Sequence, residues 1–185
     1  MIYYTADLHL GHLGIISMCQ RPFRNLEEMH RTIIQNWNTR ITQEDEVYIV
    51  GDVAYRCQMP DLETYLKQLP GHKHLIIGNH DRHNIKSEQF RAYFESITNY
   101  AEIRDQKNKV ILCHYPILEW NGFFHGTYHI YGHIHNSRNM ANQIMEQLPN
   151  AFNAGVDCNG FMPRTLAELI ADHEKSHQTI PGAEL

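Results

Sequence analysis

The chain has 185 residues, 42% of them hydrophobic and 20% charged, and a formal net charge of -5 at neutral pH. That length and balance describe one soluble globular domain with a sizeable core, and the negative charge argues against a broad basic face for duplex nucleic acid. Cys19, Cys57, Cys113 and Cys158 are far apart and form no C-x-x-C pair, which argues against a thiolate zinc site. No apolar stretch approaches a membrane span, and a strand-like run already begins at Ile2, so the expected setting is a reducing, cytoplasmic one with free thiols.

Ile2 to Ala6 reads as a first strand, ending at Asp7-Leu8-His9 with Gly11 and His12 just beyond. Residues 13 to 25 read as irregular, with a turn at Arg21-Pro22. Leu26, Met29, Ile33 and Trp37 recur at helical spacing, which predicts a helix over 26–39. Val47 to Val50 is a second strand, ending at Gly51-Asp52, and Leu62, Tyr65, Leu66 and Leu69 mark a helix before Pro70-Gly71. Leu75-Ile76-Ile77 is a third strand, stopped by Gly78 and followed at once by Asn79, His80 and Asp81.

Ile85, Phe90, Phe94 and Ile97 suggest a third helix, and 100–104 with 109–113 suggest a hairpin that ends at His114-Tyr115-Pro116. An aromatic loop covers 117–127, and His129 to Tyr131 is a short strand ending at Gly132-His133-Ile134-His135. A helix over 138–148, a strand over 152–156 and a short helix over 165–171 complete a domain of residues 1–171. The polar tail from Asp172 to Leu185 is expected to fray. Early alternation of strands and helices, then a hairpin and further strands, predicts a mixed α/β sheet system, in which sites form at the carboxyl ends of strands.

Asp7, His9, Asp52, Asn79, His80, His114, His133 and His135 all fall at such ends. They are nitrogen and oxygen donors without a thiol, a set that suits Mn, Fe, Co, Ni or Zn. Asp7 with His9, and His133 with His135, are two apart, so on extended chain each pair faces one side. Two aspartates, several imidazoles and an amide are too many ligands for one tetrahedral ion and suit two ions sharing a bridge. Asp52 is the natural bridge because a carboxylate has two oxygens to share. Two divalent ions outweigh two carboxylates and a bridging hydroxide by about one positive charge, which favours an anionic phosphoryl substrate. One such fragment alone is more often structural; five in series, each at the end of a strand-like run, point to a metal site.

The series Asp7-x-His9, Gly51-Asp52, Gly78-Asn79-His80-Asp81, His114 and Gly132-His133-x-His135 resembles the calcineurin-like metallophosphoesterase signature, complete and in order. The resemblance covers residues 1 to about 160. It implies a four-layer α/β/β/α sandwich with a dinuclear metal site, Mn being the first candidate metal. It also implies one ion on Asp7, His9, Asp52 and His135, the other on Asp52, Asn79, His114 and His133, and His80 as the acid or polarising group beside the phosphate. The implied reaction is hydrolysis of a phosphomonoester or phosphodiester by a metal-bridging hydroxide. A nuclease of short or single-stranded nucleic acid is the alternative, and a non-catalytic metal scaffold the third. Asp81 has two readings: it orients His80, or it caps a turn.

The expected partner is a small phosphorylated molecule, with nucleotides included and long duplexes and membranes excluded. His12, Arg21, Arg82, Trp120, Phe124 and His125 are the candidate substrate contacts. Arginine suits bidentate phosphate binding, and an aromatic ring can stack a base. Trp120 and Phe124 have a competing reading as rings packed on the loop's own core.

Overall fold

The computed structural model describes residues 1–178 and contains two four-stranded sheets. The first is all parallel, β1 (Ile2–Thr5), β2 (Glu46–Ile49), β3 (His72–Ile76) and β4 (Ser96–Thr98), in the order β1-β2-β3-β4. The second runs β5 (Tyr100–Asp105), β6 (Asn108–Cys113), β7 (Tyr128–Tyr131) and β8 (Ala151–Asn153). Its first pair is an antiparallel hairpin and the rest is parallel. Short strands with β-branched and aromatic residues suit this pleated, two-sided burial.

Alternation along the strands sorts the apolar residues into separate clusters. Tyr3, Val47, Ile49 and Leu75 pack with Met29, Ile33 and Trp37 of α2 (Leu26–Asn38) and Leu62 and Leu66 of α3 (Met59–Leu66). Tyr4 and Ile76 of the first sheet, with Val50 just past β2, pack with Val110, Leu112, Ile130 and Phe152 of the second. Ile111, Tyr131 and Ala151 pack instead with Trp120 and with Met145 of α5 (Met140–Glu146). The aliphatic stripe on α2 is aligned by Asn25, whose side chain accepts from the Glu28 backbone N–H as an N-cap.

Three local expectations change. Residues 13–18 form a helix, α1 (Leu13–Met18), with Ile15 buried, where irregular chain was expected. The helix expected over 85–97 is replaced by a 3-10 turn (Asn84–Lys86), one helical turn α4 (Glu88–Arg91), and strand β4, which takes up Ile97. Phe90 alone reaches full burial there, and Ile97 pairs with Leu75 across the sheet. The last helix, α6 (Leu166–Gln178), begins close to the expected place and continues past Asp172, where a polar tail was expected. Residues 179–185 of the expected tail lie outside the described residues. Among the described residues no helix is long and apolar enough to cross a membrane.

Candidate metal centre

Parallel pairing of β1 with β2 brings Thr5 level with Ile49, so the chain leaving both strands emerges side by side. The two exits stay paired. Asp7 N–H donates to Gly51 O at 2.9 Å, His9 N–H to Asp52 O at 3.0 Å and Leu10 N–H to Val53 O at 3.0 Å. Gly132 N–H donates to His114 O at 3.0 Å, and Val156 N–H donates to Ala6 O at 3.0 Å, which ties the second sheet's exits to the first.

This crowding dictates the residue types. A Cβ on Gly78 would lie 2.2 Å from Asp52 Oδ1, and one on Gly51, whose φ is +91°, would lie 2.2 Å from His114 Nδ1. Asp7, His9, Asp52, His133 and His135 all have φ between +48° and +72°, the left-handed region that costs a non-glycine residue about 1 kcal/mol or more. Five of the nine non-glycine residues with positive φ among the described residues are these, so geometry overrides backbone preference repeatedly at the site.

Asp52 lies at the centre of the cluster. Its Oδ1 accepts from the His80 backbone N–H at 2.9 Å. Its Oδ2 is faced by three imidazoles: His9 Nε2 at 3.5 Å, His114 Nε2 at 3.6 Å and His80 Nε2 at 3.9 Å. These gaps are wider than hydrogen bonds. His114 Nδ1 lies 2.8 Å from Val50 O, and a carbonyl only accepts, so Nδ1 carries the proton. The other nitrogen of the neutral ring then presents a lone pair to Asn79 Oδ1 at 3.1 Å and to Asp52. Burial keeps the ring neutral by lowering the His114 pKa, although the Asp52 charge opposes it.

His9 is arranged alike. Its Nδ1 pairs with His12 Nδ1 at 3.1 Å, while its buried Nε2 has no hydrogen-bond partner. Burial, then the neighbouring His135, pushes the His9 pKa strongly down. A buried nitrogen without a partner, beside a carboxylate oxygen and other lone pairs, is costly unless a cation sits among them. The donor set fits one or two divalent ions. Ligand atoms of Asp7, His9 and His135, of His9, Asp52 and His80, and of Asp7, Asp52 and His114 each lie within 4.8 Å of one another. Burial, with help from Asp52, raises the Asp7 pKa to about 8 even though His135 and the His133 N–H oppose it, so the protein's own groups disfavour the ionised carboxylate there.

The other candidates divide. His133 lies beside His114, ring centroids 5.1 Å apart, and its backbone N–H donates to Asp7 Oδ2 at 2.9 Å, but its ring joins none of the groups above. His80 belongs to one of them, and its side chain is 32% exposed. Asp81 is a cap: its carboxylate accepts from the backbone N–H groups of Gly78, Asp52 and Val53, which leaves His80 to other partners. His12 stays at the rim, in ring contact with His9, His80 and Tyr55.

Arg21 is not placed to bind substrate. Its side chain is fully buried and paired with Asp157. Trp120 is also withdrawn: its indole N–H donates to Thr127 O at 2.8 Å, and its ring is buried against Phe123 and His129. Packing of the loop on its own core wins there because the indole has both apolar neighbours and an acceptor. Phe124 and His125 are exposed in a 3-10 turn, with no contact to the cluster among the described residues, and Arg82 is exposed beside Asp81.

Two nearby residues were not read from the sequence. Tyr55 packs edge-on against His80, ring centroids 4.7 Å apart, and carries Arg56 over its face. Asp157 lies 2.8 Å from His135 Nδ1. No local pattern marks either one: Tyr55 lies in a connecting segment, and Asp157 follows a plain Gly-Val step.

A family model described as calcineurin-like phosphoesterase matches residues 1–151. The chain is 30% identical over 175 residues to an uncharacterised protein of Methanocaldococcus jannaschii, covering 94% of this chain and 92% of that one. It is 26% identical over 184 residues to the gene 66 protein of Mycobacterium phage L5, covering 85% and 87%. In structure it is similar to a protein of unknown function from Aquifex aeolicus, with a TM-score of 0.72, 26% identity, and coverage of 91% and 96%.

Proposed function

The chain belongs to the calcineurin-like phosphoesterase family, and on that premise we propose that it hydrolyses a small phosphoric ester with two divalent ions. Asp7, His9, Asp52 and His135 would hold one ion; Asp52, Asn79, His114 and His133 would hold the other. One observation carries the reading: Asp52 Oδ2 is faced by the Nε2 atoms of His9, His114 and His80, none at bonding distance. An arrangement of lone pairs around one carboxylate oxygen suits a bridging ligand. The four-layer α/β/β/α arrangement belongs to this proposal, and the apolar clusters on either side of both sheets support it.

When bound, the ions supply positive charge for the phosphoryl oxygens and acidify a water for attack on phosphorus. The chain's own contribution is position. Paired main-chain exits hold Asp7 beside Asp52, and Val50 O fixes the His114 tautomer. His80, whose side chain is 32% exposed, is open to a substrate and can stabilise charge on the phosphoryl group or protonate the leaving oxygen. His12 and Tyr55 form the rim beside it.

The test is a panel of aryl and nucleotide mono- and diesters assayed with Mn, Ni, Co and Zn. The expected result is turnover that chelation abolishes and Mn or a similar ion restores. Turnover on no ester with any metal would overturn the enzyme reading in favour of a scaffold. Turnover confined to short single strands would move the substrate to nucleic acid.

A further inference from the structure

Arg21 and Asp157 form a buried ion pair outside the family signature, with side chains 0% and 1% exposed. The contact is bidentate: Nε to Oδ1 at 2.8 Å and Nη2 to Oδ2 at 3.0 Å. The guanidinium also donates to two backbone carbonyls, Nη2 to Asp7 O at 2.8 Å and Nη1 to Leu8 O at 3.1 Å. On its other side Asp157 Oδ2 lies 2.8 Å from His135 Nδ1. Asp157 is 136 residues from Arg21 in sequence, so the pair joins the first strand's exit to the chain after β8.

A buried ion pair is weak evidence for stability, since desolvation offsets much of its attraction. Its retention here needs another reason, and the partners supply one. Arg21 grips the main chain that carries Asp7 and His9, and Asp157 grips the ring of His135. Asp7, His9 and His135 are one of the groups whose ligand atoms converge. With a carboxylate on Nδ1, Nε2 is the ring nitrogen left for a ligand bond. Ligand atoms of Cys19, His135 and Asp157 also lie within 4.8 Å of one another, but the guanidinium on Asp157 makes that corner a poor place for a second cation.

We propose that Asp157 and Arg21 are positioning residues for His135: Asp157 fixes the ring so that Nε2 is the ligand atom, and Arg21 locks Asp157 to the segment after β1 that carries Asp7. The proposal rests on the reading of His135 as a ligand. Asparagine at 157 would keep an acceptor for the ring but lose the charge and the bidentate contact. Carboxylates behind metal-bound imidazoles typically contribute about 10- to 100-fold in metal affinity.

The experiment titrates metal-stripped protein with Mn²⁺ by calorimetry, using wild type, Asp157→Asn, His135→Ala and the double variant, with circular dichroism as a check on folding. Asp157→Asn should weaken one of two ions by about 10- to 100-fold and leave the other within about twofold. In the His135→Ala background the same change should cost under about twofold more, because its effect runs through that ring. Wild-type affinity in Asp157→Asn, equal weakening of both ions, or a full additional loss in the double variant would each overturn the proposal. Unchanged binding of both ions in His135→Ala would instead overturn the ligand reading on which it rests. If Asp157→Asn leaves a lone buried guanidinium and fails to fold, Arg21→Met with Asp157→Asn removes both charges, and the same split between the two ions is expected.

Discussion

The two sides of the centre are held by opposite means. On the side of Asp7, His9 and His135 the support is charged: a buried arginine and carboxylate join three chain segments. On the side of His114 the support is neutral: the ring rests on a backbone carbonyl, and the loop that follows it is fixed by apolar packing. In that loop Ile117 N–H donates to His129 Nε2 at 3.1 Å, and Trp120 packs on the same imidazole. The contrast teaches that ligand position can be set by ionic or by hydrophobic means. It also implies that the two sides respond to different perturbations, with Asp52 common to both.

The largest expected effect is at that shared residue. Asp52→Ala should lose both ions in elemental analysis and all measurable turnover. His9→Ala and Asn79→Ala should each weaken one ion only. Equal metal loss across the three variants would remove the distinction between the sides and the bridge with it.

His80→Ala should come next. It should retain both ions and lose turnover in a way that depends on the leaving group. On a nucleotide ester, whose alkoxide needs a proton, the additional loss in kcat/KM relative to a nitrophenyl ester should be about 10²- to 10⁴-fold. Equal losses on both substrates would leave His80 an electrostatic contact; loss of an ion would make it a ligand, which its 3.9 Å approach to Asp52 would accommodate.

Trp120→Ala probes the apolar side. Truncating a buried indole typically costs about 3 to 5 kcal/mol, whereas exposed Phe124→Ala should stay within about 0.5 kcal/mol. Denaturant melts read both. A selective rise in KM for nucleotide diesters in Trp120→Ala, at unchanged stability, would restore the stacking reading that burial argues against.

The smallest expected effect is a pH response on that same side. Burial lowers the His129 pKa from 6.5 to about 4, although hydrogen bonds to the backbone oppose it. The unfolded chain therefore takes up the proton first. Stability from this group is complete above about pH 6.5 and declines as pH falls toward 4, by about 2 kcal/mol at pH 5. Melting of metal-free protein between pH 7 and 5 should show a smaller decline in His129→Gln than in wild type; parallel curves would show that the folded imidazole titrates normally.

The convergence of the two sides was legible in the sequence to the extent that polar residues follow apolar strands directly. Asp7, Asp52, Asn79 and His114 could be read because a strand ends just before each, and parallel pairing brings such ends together. The supports could not be read. Arg21 precedes a proline and looks like a turn cation, yet α1 turns the chain so that its guanidinium faces inward. Asp157 has no periodic context, and only the crossing from β8 back to Ala6 brings it under His135. The helix expected over 85–97 failed because apolar spacing there is satisfied by a turn, one helical turn and an edge strand in succession.

The central claim is that this fold assembles a two-ion centre around Asp52, and metal stoichiometry tests it most directly. Purified protein equilibrated with saturating Mn²⁺ and freed of excess should carry close to two ions per chain. Its melting temperature should exceed that of the chelated protein, because the ions bind the folded state. One weakly held ion or none, with no change in melting, would contradict the account.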